Sequence, residues 1–244
     1  MLLVTIVPTY NNAQTLQAVL DRLWLYTHDI LVVNDGSTDG TADLLRRYPH
    51  PLHVVSYVHN RGKGHALVEG FREAMRLGYD VAVTIDSDGQ HYPEDLPLLV
   101  SKAESLARPA IVVGSRELEH ANKSRGAVFA TRLANFWFAF QTWRYLPDTQ
   151  SGYRLYPLHH LHGLRFVTSR YEAELELLVF AAWHGVDIAT VPIRVYYPPK
   201  EERVTHFRPG WDFLRIFALN TLLFFVSLFF GWWMMGWKRV RESR

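Results

Sequence analysis

Residues 84–96, TIDSDGQHYPEDL, place two carboxylates, Asp86 and Asp88, one residue apart where the apolar run Val81 to Ile85 ends, with Gln90 and His91 directly behind them. Like charges this close repel, and one of the pair is driven to protonate unless something positive stands between them. Mg2+ and Mn2+ take hard oxygen donors and are commonly held by one or two carboxylates together with substrate phosphates. A cation at this point would relieve the repulsion and stabilise negative charge on a departing group. The competing use of Asp88, as N-cap of a helix opening near Pro93, needs no ligand.

A second cluster, DTQSGYR at 148–154, bears on what accepts the transferred group. A hydroxyl acceptor needs a base to remove its proton, and Asp148 is the candidate. A phosphate acceptor, with a second pKa of about 6, arrives as an anion and needs cations instead. The stretch RGKGHALVEG suggests a phosphate loop, but Leu67 stands where the dinucleotide fingerprint wants its third glycine, and no P-loop pattern is present. A D-x-D at a strand end also occurs in aspartyl-phosphate phosphatases, usually on the first strand with Thr or Val two residues on. Here it ends the fourth, and Gln90 fills that place.

These residues must be carried by an alternating framework. Short apolar runs at Leu2–Val7, Ile30–Asn34, Leu52–Val58, Val81–Ile85 and Ala110–Val113 read as buried strands. Helical patterns lie between them at Ala13–Tyr26, Thr41–Tyr48, His65–Leu77 and Pro93–Ala107, with Asn12 as a candidate N-cap and Pro93 in an opening turn. The alternation predicts an α/β fold with a mainly parallel, doubly wound sheet, whose ligands bind at the carboxyl ends of the strands. The polar loops PTYN, NDGSTDG, HNRGKGHA, DSDGQH and GSRE all fall at those ends.

The chain has 244 residues, 48% of them hydrophobic, and a formal net charge of only +2, which argues against a nucleic-acid partner. From Lys200 onward there are eight Lys/Arg against four Asp/Glu, net +4, which leaves −2 for everything before. The absence of cysteine rules out disulfide and thiolate chemistry. Met1 leads straight into LLVTIV, which reads as mature protein and not as a signal peptide. Residues Ile216 to Trp237 form a run of 22 without a charge, bounded by Trp232, Trp233, Trp237 and KRVR, the pattern of a membrane helix of about 20 residues with interfacial aromatics. Gly231 marks a possible break, so a spanning and a re-entrant course both stay open. The aromatic stretch GAVFATRLANFWFAFQTWRYL fits a helix lying on a bilayer, and KEERVTHFRPGW, with Arg203, His206 and Arg208, fits either a flap over a phosphate or a juxtamembrane anchor. His159, His160 and His162 lack zinc-ligand spacing.

In their order, VPTYNN, VVNDGSTDGT, NRGKGHA, DSDGQHYPED, GSR and DTQSGYRLYP resemble family 2 glycosyltransferases of the GT-A fold, and among them polyprenyl-phosphate sugar synthases of the dolichol-phosphate mannose synthase type. The resemblance covers about residues 3 to 160, more weakly through YEAELELLVFAAWHGVDIATVPIRVYY. It implies that Pro8, Tyr10 and Asp35 hold the base and ribose of a UDP- or GDP-sugar and that Lys63 lies near the diphosphate. Asp86 would touch the sugar or the metal, with Asp88 and Gln90 ligating Mg2+ or Mn2+. It further implies that Arg116, Ser151 and Arg154, with Arg125 or in a competing alignment Arg132, meet an acceptor phosphate, and the flap reading of KEERVTHFRPGW would add Arg203 and Arg208. There is no Q-x-x-R-W, which disfavours a processive polysaccharide synthase.

The expectation is a membrane-anchored, metal-dependent, inverting glycosyltransferase. Its catalytic domain would occupy residues 1–205 on the cytoplasmic face, the inner membrane if bacterial, with a juxtamembrane segment and anchor at 206–244. The predicted reaction takes a sugar from a nucleoside diphosphate to a lipid acceptor, polyprenyl phosphate first. One alternative transfers to a hydroxyl of a lipid or glycan with Asp148 as base; another is an inactive membrane scaffold.

Overall fold

The computed structural model describes residues 1–117, 125–161, 163, 168–197 and 209–231. Strands β1 (Leu3–Thr9), β2 (Ile30–Asp35), β3 (His53–Tyr57), β4 (Val81–Thr84) and β5 (Ala110–Arg116) fall where the apolar runs lie. Between them run α1 (Ala13–Leu23), α2 (Thr41–Arg47), α3 (Lys63–Arg76) and α4 (Leu96–Glu104). Then follow α5 (Arg125–Thr142), β6 (Arg154–Pro157), α6 (Leu158–Leu161), α7 (Ala173–Trp183), β7 (Asp187–Ile193) and α8 (Pro209–Val226).

The seven strands form one sheet in the order β3-β2-β1-β4-β6-β5-β7. β6 is antiparallel to both β4 and β5, and the other pairings are parallel. Strand order reverses at β1, flanked by β2 and β4, so the carboxyl ends of β1 and β4 open side by side, the place where such sheets bind ligands. Pleat alternation serves two cores. Val4, Ile6, Leu31 and Val33 face α3 and α7, whereas Val7, Ile30, Val32, Val83 and Ile85 face α1 and α4.

Two differences from the sequence reading bear on the site. Asn12 stands at the N-cap position of α1 but makes no side-chain cap bond; its amide donates to Ser87 Oγ at 2.7 Å, so it braces the Asp86–Asp88 loop instead. α8 does not stand apart, because Leu219 and Leu223 are buried in the α3/α7 core, Phe224 stacks on Phe140, and Gln141 donates to Asn220. No helix among the described residues is long and apolar enough to cross a membrane. The expected membrane run is described only as far as Gly231, where α8 passes into a π-helical turn, Ser227–Gly231; Trp232, Trp233, Trp237 and residues 238–241 lie outside the described residues.

The first turn of α3 docks on the start of α7 through a glycine contact. A Cβ on Gly64 would lie 2.3 Å from Ala173 Cβ and 2.9 Å from Arg170 O. Gly64→Val is therefore expected to lower stability by about 1–3 kcal/mol or more through overpacking, read as a drop in the urea midpoint at unchanged slope.

Candidate active site

A cavity of about 520 Å3 opens at the carboxyl ends of β1, β2 and β4, walled by the first turn of α3 and by Arg170 and Tyr171 ahead of α7. Of the residues expected to hold the donor, Pro8, Tyr10, Asp35, Lys63, Asp86, Asp88 and Gln90 all line it. One chain of hydrogen bonds rigidifies its floor. Asn11, with φ of +51°, accepts the Thr38 amide at 2.7 Å and so ties the β1 loop to the NDGSTDG loop. Asp35 is committed in the same way: its carboxylate accepts the amides of Arg61 and Gly62 at 2.7 and 2.8 Å and the Asn60 side chain at 2.9 Å. In this structure Asp35 shapes the loop leading into α3.

Lys63 sits at the centre of the site. Its ammonium lies 2.6 Å from Asp86 Oδ1 and 3.0 Å from Glu174 Oε2, an ion triad joining α3, the end of β4 and α7. Burial alone would lower the pKa of this lysine, but the two carboxylates outweigh it and hold its pKa above the ordinary range. Burial likewise opposes the charge of Asp86, and Lys63 more than offsets it, so Asp86 stays below its usual value. Gly152 closes the triad from the side of β6: a Cβ there would fall 2.7 Å from both Asp86 Oδ2 and Lys63 Nζ.

Asp88 has the opposite fate. Burial first, and the Asp86 charge second, push it up to about 6, although it accepts the Gln90 amide at 3.0 Å. A carboxylate raised by a like-charged neighbour is one that a cation would bring back to full ionisation, so Asp86, Asp88 and the Gln90 amide oxygen make a hard donor set that fits Mg2+ or Mn2+. Among the described residues no group of three His, Cys, Asp or Glu offers a metal site, so such a set would depend on Gln90 as well. His91 is buried 3.8 Å from Asp86 Oδ2, and burial lowers its pKa to about 4, so the imidazole is neutral near pH 7. The loop is braced on its far side by the segment after β7. Tyr196 N donates to Gln90 O at 2.8 Å, Arg194 pairs with the buried Asp95 at 2.6 Å, and the Tyr92 ring lies between the guanidinium groups of Arg22 and Arg194.

The DTQSGYR cluster is placed less as a contact surface than as a support. Asp148 is fully buried and accepts Arg116 Nε at 2.6 Å and Nη2 at 2.9 Å, with the Arg116 and Gln150 amides alongside. Burial works against its charge, but Arg116 prevails and holds Asp148 below the usual carboxylate range. A base so enclosed and so acidic is poorly made to remove a hydroxyl proton. Arg154 corrects an expectation outright. It is fully buried, and Nε, Nη1 and Nη2 donate to the carbonyls of Ser151, Glu174 and Thr149, so it brackets the β6 entry to α7 and does not reach toward an acceptor phosphate. Ser151 is equally buried and its hydroxyl accepts the Tyr153 amide at 3.4 Å, which removes it from direct contact too. From α5, Thr131 and Asn135 hold Gln150 and Thr149 in place. Arg203, His206 and Arg208 lie outside the described residues, as does the side chain of Arg125.

Glu174 is the residue that pattern reading undervalues. YEAELELL shows three glutamates on one helix, and nothing in their spacing says that Glu174 turns inward to Lys63. The one usable signal is that α7 is apolar on nearly every other position, so a glutamate inside it needs a buried partner.

Residues 4–165 match the family described as Glycosyl transferase family 2. The undecaprenyl-phosphate mannosyltransferase of Micrococcus luteus is 32% identical over 204 residues, covering 79% of this chain and 83% of that protein. The UDP-N-acetylglucosamine–dolichyl-phosphate N-acetylglucosaminyltransferase of Methanococcus voltae is 28% identical, covering 80% and 86%. Among solved structures, glucosyl-3-phosphoglycerate synthase from Mycobacterium tuberculosis, in complex with Mn2+, UDP and phosphoglyceric acid, superposes with a TM-score of 0.68 over 93% of this chain and 78% of that one; at 23% identity it speaks for the fold alone. With carboxylates, amide and lysine gathered at the β1/β4 switch point of a GT-A-like sheet, the chain belongs to glycosyl transferase family 2 and is a glycosyltransferase.

Proposed function

We propose that the chain transfers a sugar from a UDP- or GDP-sugar to polyprenyl phosphate at a membrane, with inversion and with the help of Mg2+ or Mn2+. The observation that carries the choice of acceptor is the Arg116–Asp148 pair. The base that a hydroxyl acceptor would call on, Asp148, is buried and paired with Arg116, which favours an acceptor that brings its own nucleophilic oxyanion, as a phosphate does. The relatives from Micrococcus luteus and Methanococcus voltae, named for polyprenyl phosphates, support the same reading.

Asp86, Asp88 and Gln90 would hold the metal, which when bound supplies a Lewis acid for the leaving diphosphate. Lys63 and Glu174 fix Asp86 in one orientation, Asp35 shapes the loop entering α3, and Pro8 and Tyr10 wall the nucleotide end of the cavity. A direct displacement by phosphate oxygen relies on positioning and charge stabilisation and not on proton transfer. The catalytic face is assigned to the cytoplasm because nucleotide sugars are cytosolic.

The membrane assignment rests on two neighbouring helices. Phe129, Phe136 and Trp143 on or just after α5, and Leu214, Phe217, Leu222 and Phe225 on α8, are each more than half exposed, far beyond the scattered apolar residues of a water-facing surface. In this reading residues 206–244 form the juxtamembrane segment and anchor, with α8 docked on the catalytic domain of 1–205.

In detergent with Mn2+ or Mg2+, a panel of UDP- and GDP-sugars should yield product on polyprenyl phosphate and none on polyprenol. Asp88→Asn should lower that rate by about 10²-fold or more, the scale of losing a transition-state electrostatic contact; product on polyprenol alone would reverse the acceptor assignment. Asp148→Asn frees Arg116 and should raise the acceptor KM while lowering the melting temperature, whereas a lost base would lower kcat at unchanged KM. Phe217→Asp combined with Phe225→Asp should reduce co-flotation with anionic lipid vesicles, and undiminished flotation would count against α8 as a membrane face.

A further inference from the structure

Lys63 is the cation that the sequence brings nearest a diphosphate, yet its charge is already shared. Asp86 and Glu174 both contact it, Asp148 closes on Arg116, and Asp88 adds a further carboxylate. Lys63 and Arg116 are thus already paired with carboxylates, and the buried Arg154 is spent on three backbone carbonyls, so none of these cations is free to meet a diphosphate. A nucleoside diphosphate adds more negative charge, and one divalent ion compensates only part of the sum.

Arg170 lines the same cavity, and among the described residues no hydrogen bond or ion pair engages its guanidinium. Its stem is held in place. A Cβ on Gly62 would fall 2.8 Å from Arg170 Cγ and 2.6 Å from Ser169 O, and Gly62 has a φ of +99° that a side chain would resist. His65 N donates to Ser169 O at 3.0 Å and Ala173 N to Arg170 O at 3.2 Å, so the residue is fixed between the first turn of α3 and the start of α7. Arg61, the other cation of the loop, is exposed and does not line the cavity.

We propose that Arg170 is a diphosphate-binding residue of the donor site, supplying the positive charge that Lys63 is too engaged to give. A guanidinium meets phosphate oxygens through paired donors, which suits this role better than a point charge. The donor is favoured over the acceptor phosphate because Arg170 lines one cavity with Asp35, Asn60, Asp86 and Asp88, the residues assigned to the donor and its metal. The proposal rests on the reading that the donor is a nucleoside diphosphate sugar.

The test is calorimetric titration of UDP and GDP, with Mn2+ present, into the full chain and its Arg170→Ala and Arg170→Lys variants, with uridine and guanosine followed by ligand-observed NMR. Arg170→Ala is expected to weaken the diphosphate that binds by about 10- to 100-fold, the range of one charged hydrogen bond, while leaving the nucleoside unaffected. Arg170→Lys should recover part of the loss. An unchanged diphosphate affinity would overturn the proposal, as would an equal loss for nucleoside and diphosphate, which reports a displaced wall. Intact donor affinity with a raised KM for polyprenyl phosphate would move Arg170 to the acceptor side and overturn it too. A wild-type chain that binds neither diphosphate would sink the donor reading itself, and this assignment with it.

Discussion

The structure turns on a buried ammonium shared between two carboxylates. Lys63, Asp86 and Glu174 come from α3, the end of β4 and α7, three elements far apart in sequence. Charges taken out of water carry a desolvation penalty, and removing one member of such a group leaves the others uncompensated. That penalty makes the triad selective. The site assembles only if α3, β4 and α7 sit in one arrangement, and Gly62, Gly64 and Gly152 are the positions where a side chain would prevent it.

Around the triad, residues divide between those that act and those that hold. Asp88 and Gln90 line the cavity, and burial with the charge of Asp86 raises the pKa of Asp88. Asp35, Asp148, Arg154 and Ser151 carry polar groups of the kind expected to touch substrates, but their hydrogen bonds go to the chain itself. A glycosyltransferase that binds a highly charged donor needs its loops fixed before the substrate arrives, and these residues do that fixing. The Arg116–Asp148 pair is holding of this kind, a buried carboxylate committed to a guanidinium.

Much of this was legible in the chain. Apolar runs and helical periods located β1 to β5 and α1 to α4 within a few residues, and the placement of polar loops at strand ends located the cavity. The spacing of Asp86 and Asp88 pointed to a cation by local chemistry, whereas Gln90 as its ligand and a diphosphate near Lys63 came only with the family resemblance. β6 escaped because RLYP is short and lies behind a polar cluster, and nothing local says that it inserts antiparallel between β4 and β5.

What the sequence by itself determined was the inventory: which groups stand at strand ends, how far apart, and with what intrinsic charge. Only the tertiary structure decided which of them are free. That Asp148 pairs with Arg116, that Arg154 meets three carbonyls and that Glu174 faces Lys63 all depend on neighbours brought from other segments. The reason is physical. The charge state and availability of an ionisable group depend on burial and on charges within a few ångströms, and those are properties of packing that no local pattern contains.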